Sequence, residues 1–313
     1  MSAFAYLLQR ETWENRAIVF APVIVGGVLL TGLLLSLFQG VTSAGFEQVV
    51  IKMEELGEMR TAGAFAVTSV LLFAIAVVFA FVMMIMLFFY MLDALYSERK
   101  DRSILFWRSL PVSDNMTVLS KLATAIVVAP LITLAALAIT DIVTLIMGTV
   151  FTWFRGGSAW ELIWGPAPLF KSWVIVGYGL LAMVIWFLPF FGWLLLVSAW
   201  ARQTPFLWAI LPPLAILIIE KIVNGTHTFF TMIGEYKVEF FRAAFDVEMF
   251  EGFDKEHTTE AEELQVIGTI QDNLLGVIDI GGLLSAPELW AGLAVAAVFT
   301  SGAIYLRRWR EEA

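Results

Sequence analysis

The chain has 313 residues, of which 60% are hydrophobic, 15% charged and 14% aromatic, and its mean hydropathy is +0.84. A soluble chain holds about 45–50% apolar and about 25% charged residues, and a single soluble core stops growing at roughly 250–300 residues. The apolar excess therefore belongs in lipid, which excludes disorder, collagen, coiled coil and soluble Rossmann or barrel enzymes. The net charge of -9 argues against a nucleic-acid partner, and the absence of cysteine removes disulfides, thiolate metal sites and thiol nucleophiles.

Residues 1–16 read as a short amphipathic helix. Phe4, Leu7 and Leu8 form its apolar stripe, and Gln9, Arg10, Glu14 and Arg16 its polar side. That pattern suits an interfacial anchor lying on the inner leaflet. Crossing a bilayer takes about 20 apolar residues, because roughly 30 Å of hydrocarbon is covered at 1.5 Å per residue. Ala17 to Phe38 is the first such span. In the loop Gln39 to Gly63, Phe46, Val49, Val50, Met53 and Leu56 recur at helical spacing against Glu47, Lys52, Glu54 and Glu55, which predicts a surface helix. The second span runs from Ala64 to Leu92.

The loop 93–121 follows. Asp101 is placed to cap a short helix with an apolar stripe of Ile104, Trp107 and Leu110, which Pro111 stops. Ser113 then caps the helix that enters the third span, Leu122 to Phe151. On the residues alone, the short helix either docks on a cytoplasmic partner or lies in headgroups. Within the third span Asp141 is flanked by Thr140 and Thr144. An acid at that depth is costly and is either a hydrogen-bonded structural group or a pathway contact. Thr152 to Ser172 is rich in Trp, Gly and Pro and suits irregular structure. The fourth span, Trp173 to Trp200, is joined by the turn Ala201 to Thr204 to the fifth, Pro205 to Val223, whose far end carries Glu220 and Lys221.

The segment 224–288 bears Lys237, Arg242 and Lys255 against thirteen acids. Phe230, Ile233, Lys237, Phe241, Ala244 and Phe245 fall on one helical face, and Leu264, Ile267, Ile270, Leu274 and Ile278 make a second stripe. The two stripes are expected to pack on each other or on a second copy. Gly268, Gly276, Gly281, Gly282 and Pro287 would let the later part bend back as a re-entrant piece. The last span, Leu289 to Leu306, opens the region 289–313 and is followed by the basic tail Arg307-Arg308-Trp309-Arg310.

The fold class is thus an all-α polytopic membrane protein with six transmembrane helices, the first five within 17–223. An interfacial helix precedes them, a short cytoplasmic helix lies between spans two and three, and a helical outer segment lies between spans five and six. Orientation follows the lysines and arginines near the membrane ends. Arg10, Arg16, Arg99, Lys100, Arg102, Arg108, Lys121, Arg202, Arg307, Arg308 and Arg310 fall on one side. The remaining cations are spread over much longer segments. Both termini are therefore expected in the cytoplasm. No HExxH and no GxxxxGK[ST] loop occurs, so neither metal-dependent hydrolysis nor ATP hydrolysis by that route is supported.

Three features resemble the permease subunits of ABC type-2 exporters. The opening Arg10-Glu11-Thr12-Trp13-Glu14-Asn15-Arg16 runs into an apolar span with Pro22 near its start. The stretch from Glu98-Arg99-Lys100-Asp101-Arg102-Ser103 through Ser109-Leu110-Pro111-Val112-Ser113 to Ser120-Lys121 is similar to that family's loop between spans two and three. Six spans with a large outer segment before the last match its layout. The resemblance implies a multi-pass subunit of a prokaryotic cell (inner) membrane, paired with a second permease copy or paralogue. It would dock a separate cytoplasmic ATP-binding subunit through the short coupling helix. Glu98, Arg99, Lys100, Asp101, Ile104, Trp107, Leu110 and Pro111 would form the coupling element, and Asp141, Thr140, Thr144 and Glu220 are pathway or interface candidates. The chain itself would bind no cofactor, ATP and Mg residing on the partner. The alternatives are a secondary transporter or channel and, further off, an intramembrane enzyme. The first would show paired intramembrane charges or an inverted repeat, the second a nucleophile, acid pair or metal set at one depth, and the sequence displays neither.

Overall fold

A computed structural model of the chain describes residues 3–38, 60–101, 113–154, 157–246 and 268–309. Helix α1 (Ala3–Glu14) leads into α2 (Ala17–Phe38). Then come α3 (Arg60–Asp93) and the single turn α4 (Tyr96–Lys100). Helix α5 (Asp114–Ala123) continues through a π-helical turn (Thr124–Val128) into α6 (Ala129–Phe154). After a second π turn (Trp160–Trp164) come α7 (Leu169–Trp186), α8 (Leu188–Trp200) and α9 (Pro205–Asn224). Helix α10 (Thr228–Ala244), a 3-10 turn (Leu274–Val277), α11 (Ile280–Ser285) and α12 (Pro287–Trp309) complete the order. Six helical stretches among the described residues are long and apolar enough to cross a membrane. The chain is a helical, multi-pass membrane protein.

Span boundaries match the hydropathy reading except in the fourth. There one apolar run from Trp173 to Trp200 is two helices, broken at Phe187 (φ -84°, ψ 7°). The cause is Pro189, which has no N–H and whose ring crowds the carbonyl four residues back. The amides of Phe190 and Phe191 turn instead to the Phe187 carbonyl at 3.0 and 3.2 Å. The next turn needs Thr204 at φ +48°, after which Pro205 starts α9 at the position where a missing N–H costs nothing.

Two helices are longer than the bilayer requires. Helix α3 has 34 residues, and the continuous stretch Asp114–Phe154 has 41. At 1.5 Å per residue these reach about 50–60 Å, against roughly 30 Å of hydrocarbon. The excess is packed. Ala64, Leu145, Leu162 and Ile163 form one small core at the end distal to the chain termini, and Phe65, Ile175, Ile270 and Leu274 form another. The main core lies at the opposite end, where α3, α5, α7, α8 and α12 meet around Leu87, Met91, Leu95, Val118 and Leu195. Helices α8 and α12 approach closely at Gly192, where a Cβ would meet the Ala296 backbone oxygen at 3.2 Å. Gly26 likewise admits Thr140 of α6, so this glycine of the first span serves contacts within the subunit. By contrast Gly27 and Gly32 face open space.

The outer stripes are placed differently from the sequence reading. On α10 the packed residues are Phe240, Ala243 and Ala244, whereas Phe230 and Phe241 are exposed. The packed face meets Trp186, Leu283, Ala286 and Leu289 in a separate cluster. Trp186 Nε1 donates to the Tyr236 carbonyl at 3.0 Å, and the Tyr236 hydroxyl donates to the Trp186 carbonyl at 2.7 Å. The break at Phe187 is what frees that carbonyl. Ile270, Leu274 and Ile278 of the second stripe pack on Phe65 and Phe73 of α3 and Ile175 of α7, so the stripes lie mainly on spans and meet each other at Phe245. Leu264 and Ile267 lie outside the described residues, as does the surface helix expected in 39–59.

Candidate functional site: a buried charge cluster at the terminal end

Helix α1 is set by its hydrophobic side, but the residue one turn after Leu7 on that side is Glu11, and it is fully buried. Its carboxylate receives Lys121 Nζ at 2.9 and 3.1 Å and the Tyr90 hydroxyl at 3.0 Å. Helix α1 is therefore docked onto the bundle through a charge, in addition to any contact with the headgroups. Lys121 also reaches Glu98 Oε1 at 3.0 Å. Glu98 Oε2 accepts from Arg307 Nη1 at 2.5 Å, and Arg307 Nε donates to Asp114 Oδ1 at 3.0 Å. Arg10 lies 3.7 Å from Glu98 and pairs with Glu14 at 2.7 Å. Among the described residues, Glu11, Glu98 and Asp114 thus face Lys121, Arg307 and Arg10, with Glu14 at the cluster's edge.

Its geometry joins α1, α4, α5 and the end of α12, and Tyr90 adds the end of α3. Glu98 and Asp114 stand on either side of residues 102–112, so both ends of that loop are tied to the bundle. A second tie holds α4. Ser198 Oγ of α8 accepts from the amides of Leu95 and Tyr96 at 2.9 and 3.0 Å, covering donors that a helix start leaves without partners. Arg99 Nη2 donates in return to the carbonyls of Ser198 and Ala201 at 2.6 and 2.8 Å, closing the end of α8. Side chains thereby connect α4 and the start of α5 to α1, α8 and α12. Buried ion pairs give little net stability over apolar packing, but they penalise heavily any arrangement that separates them.

The expected coupling residues divide accordingly. Glu98 is buried in the cluster and Arg99 is engaged on α8, so these two position the loop's start. Lys100 and Asp101 are exposed at the end of α4. Ile104, Trp107, Leu110 and Pro111, with most of the expected helix Asp101 to Leu110, lie outside the described residues. Ser113 caps α5 as expected, its side chain accepting from the Met116 amide at 3.3 Å.

Of the four pathway or interface candidates, Thr140, Asp141 and Thr144 lie within about one turn of α6, and Glu220 is on α9. Asp141 is 1% exposed and its Oδ2 accepts from Trp173 Nε1 at 3.0 Å, linking α6 to α7. Thr140 Oγ1 donates to the Ala136 carbonyl at 2.9 Å and faces Gly26 of α2. Thr144 is buried one turn further along α6. Glu220 is at the end of α9, where it accepts from the amides of Thr228 and Phe229 at 2.6 and 2.9 Å and so caps α10. Asp141 is also about 30 Å along the helix from Lys121, at 1.5 Å per residue.

Sequence reasoning missed Glu11, Tyr90, Asp114 and Ser198, and read Arg307 as tail. The signal for Arg307 was present. Gly292, Ala296, Thr300, Ala303 and Arg307 recur at helical spacing and form the buried stripe of α12, so the arginine ends an interior face. No protein-family description, curated protein or solved structure matches the chain.

Proposed function

We propose that this chain is the permease subunit of an ATP-driven ABC exporter, forming the membrane pathway and coupled to a separate cytoplasmic ATP-binding subunit. The observation that carries the reading is the set of ion pairs flanking residues 102–112, where Glu98 before them and Asp114 after them join α4, α5 and α12. A loop that receives force from a partner needs such rigid footings, and a headgroup anchor does not. The resemblance of 98–121 and the absent phosphate loop support the same division of labour. In this reading both termini are cytoplasmic, the segment 224–288 is extracytoplasmic, and the chain works beside a second permease copy or paralogue.

Two outcomes are expected. The purified chain hydrolyses no ATP alone, and with its partner it supports hydrolysis that a catalytic substitution in the partner abolishes. Robust hydrolysis by the isolated, contaminant-free chain would contradict the proposal. An epitope placed in 254–260 is reached by antibody on intact cells, while epitopes at either terminus are reached only after permeabilisation. An accessible C-terminus on intact cells would reverse or remove a span.

A further inference from the structure

A groove of about 650 Å³ runs beside the charge cluster, between the start of α2, the last turns of α3 and the start of α9. That is within the range of about 300–1,000 Å³ typical of small-molecule sites. Along α3 it extends from Val82 to Asp93, about 16 Å at 1.5 Å per residue. Its walls are apolar, with Ile18, Ile85, Phe89 and Phe206 prominent, and its polar groups gather at one end, with Asn15 and Asp93. Ile85, Phe89 and Phe206 are 42%, 55% and 46% exposed, so the groove opens sideways onto lipid.

The charge at its mouth decides what it suits. Glu11, Glu98 and Asp114 each hold a cation, whereas Asp93 is exposed and makes no ion pair among the described residues. Lys100 and Lys121 act on it from a distance with one sign and Asp101 with the other. A cationic head at that level gains a carboxylate that no ion pair occupies, an anionic head is disfavoured, and the apolar walls take a chain along the length of the groove. We infer that the groove binds a single-chain amphiphile with a cationic amine head, seated on Asp93 with its tail against α3. This inference rests on the fold alone and holds whether or not an ATPase drives the chain.

The full-length chain in phosphocholine nanodiscs is labelled with a dodecylamine carrying a photoreactive diazirine in its tail, and the labelled sites are mapped by mass spectrometry. Labelling is expected on 82–96 and 205–206. Dodecyltrimethylammonium should compete at least tenfold better than dodecanol or dodecyl sulfate. Asp93→Asn should remove that preference while chain labelling persists, and Ile85→Trp, which fills the groove, should lower labelling at least tenfold. Both variants are checked for monodispersity. Equal competition by the three head groups marks an ordinary lipid contact and overturns the inference. So does labelling spread over all lipid-facing helices, or a cation preference that survives in folded Asp93→Asn.

Discussion

Glu98→Ala should lower the stability of the folded chain by about 3–5 kcal/mol, the usual cost of removing one member of a buried ion pair. Glu98 is 5% exposed, and its two oxygens face Lys121 and Arg307, which are themselves buried. Its loss leaves two interior cations sharing Glu11 and Asp114 across separate helices. Pairing the change with Arg307→Ala restores the charge balance, so the double variant should fall short of the sum of the single ones by about 0.5–3 kcal/mol. The exposed Arg242–Glu239 pair of α10, 3.8 Å apart, provides a contrast. Exposed pairs one helical turn apart contribute only about 0.3–0.5 kcal/mol. Thermal unfolding of Glu98→Ala, Arg307→Ala, their double variant and Arg242→Ala in one detergent measures all of this. Additive losses for Glu98 and Arg307 would mean that the two do not share a site.

Trp107→Ala or Leu110→Asp should weaken docking of the ATP-binding subunit by roughly tenfold or more. A buried aromatic anchor in a partner's pocket is worth about 2 kcal/mol or more on truncation, and each 1.4 kcal/mol is about a factor of ten. The sequence motivates the choice. Ile104, Trp107 and Leu110 form an apolar stripe on a segment too short and too charged at its start to cross a bilayer. Lys100→Ala should matter much less, and its effect should fade with salt, because Lys100 is exposed. Arg99→Ala is expected to act through stability, since the guanidinium closes the end of α8. Co-purification and ATPase stimulation across the set provide the readout. Wild-type docking by both stripe variants would make this segment a lipid anchor.

What could be read from the sequence follows from what each signal depends on. Span number and most span limits depend only on apolar run length, so Ala17, Phe38 and Pro205 fall where hydropathy puts them. The break at Phe187 needed more weight on Pro189 inside an apolar run. The expected stripe of α10 holds at Ala244 and Phe245 but Phe230 and Phe241 are exposed, because Phe occupies both sides of the helix and in or near lipid an exposed Phe carries no penalty. The charge cluster was hidden for a different reason. Glu11 and Lys121 are 110 positions apart, and Glu98 and Arg307 are 209 apart, so no local period announces them. Only the position of Arg307 at the end of a small-residue stripe was a local clue. Asp141 stands out in the sequence as an acid inside an apolar run, and its bond to Trp173 gives it a partner that sequence could not assign.

The central claim is that this chain transmits work from a separate ATPase, and affinity isolation from native membranes tests it most directly. The tagged full-length chain is cross-linked in its own membrane, solubilised, isolated, and its partners quantified by mass spectrometry beside the Leu110→Asp variant. The account predicts a P-loop ATPase in near-equimolar amount with the wild-type chain, cross-linked to residues 98–121 and depleted at least tenfold in the variant. Isolation of the intact chain with no such ATPase, while export persists, would contradict it.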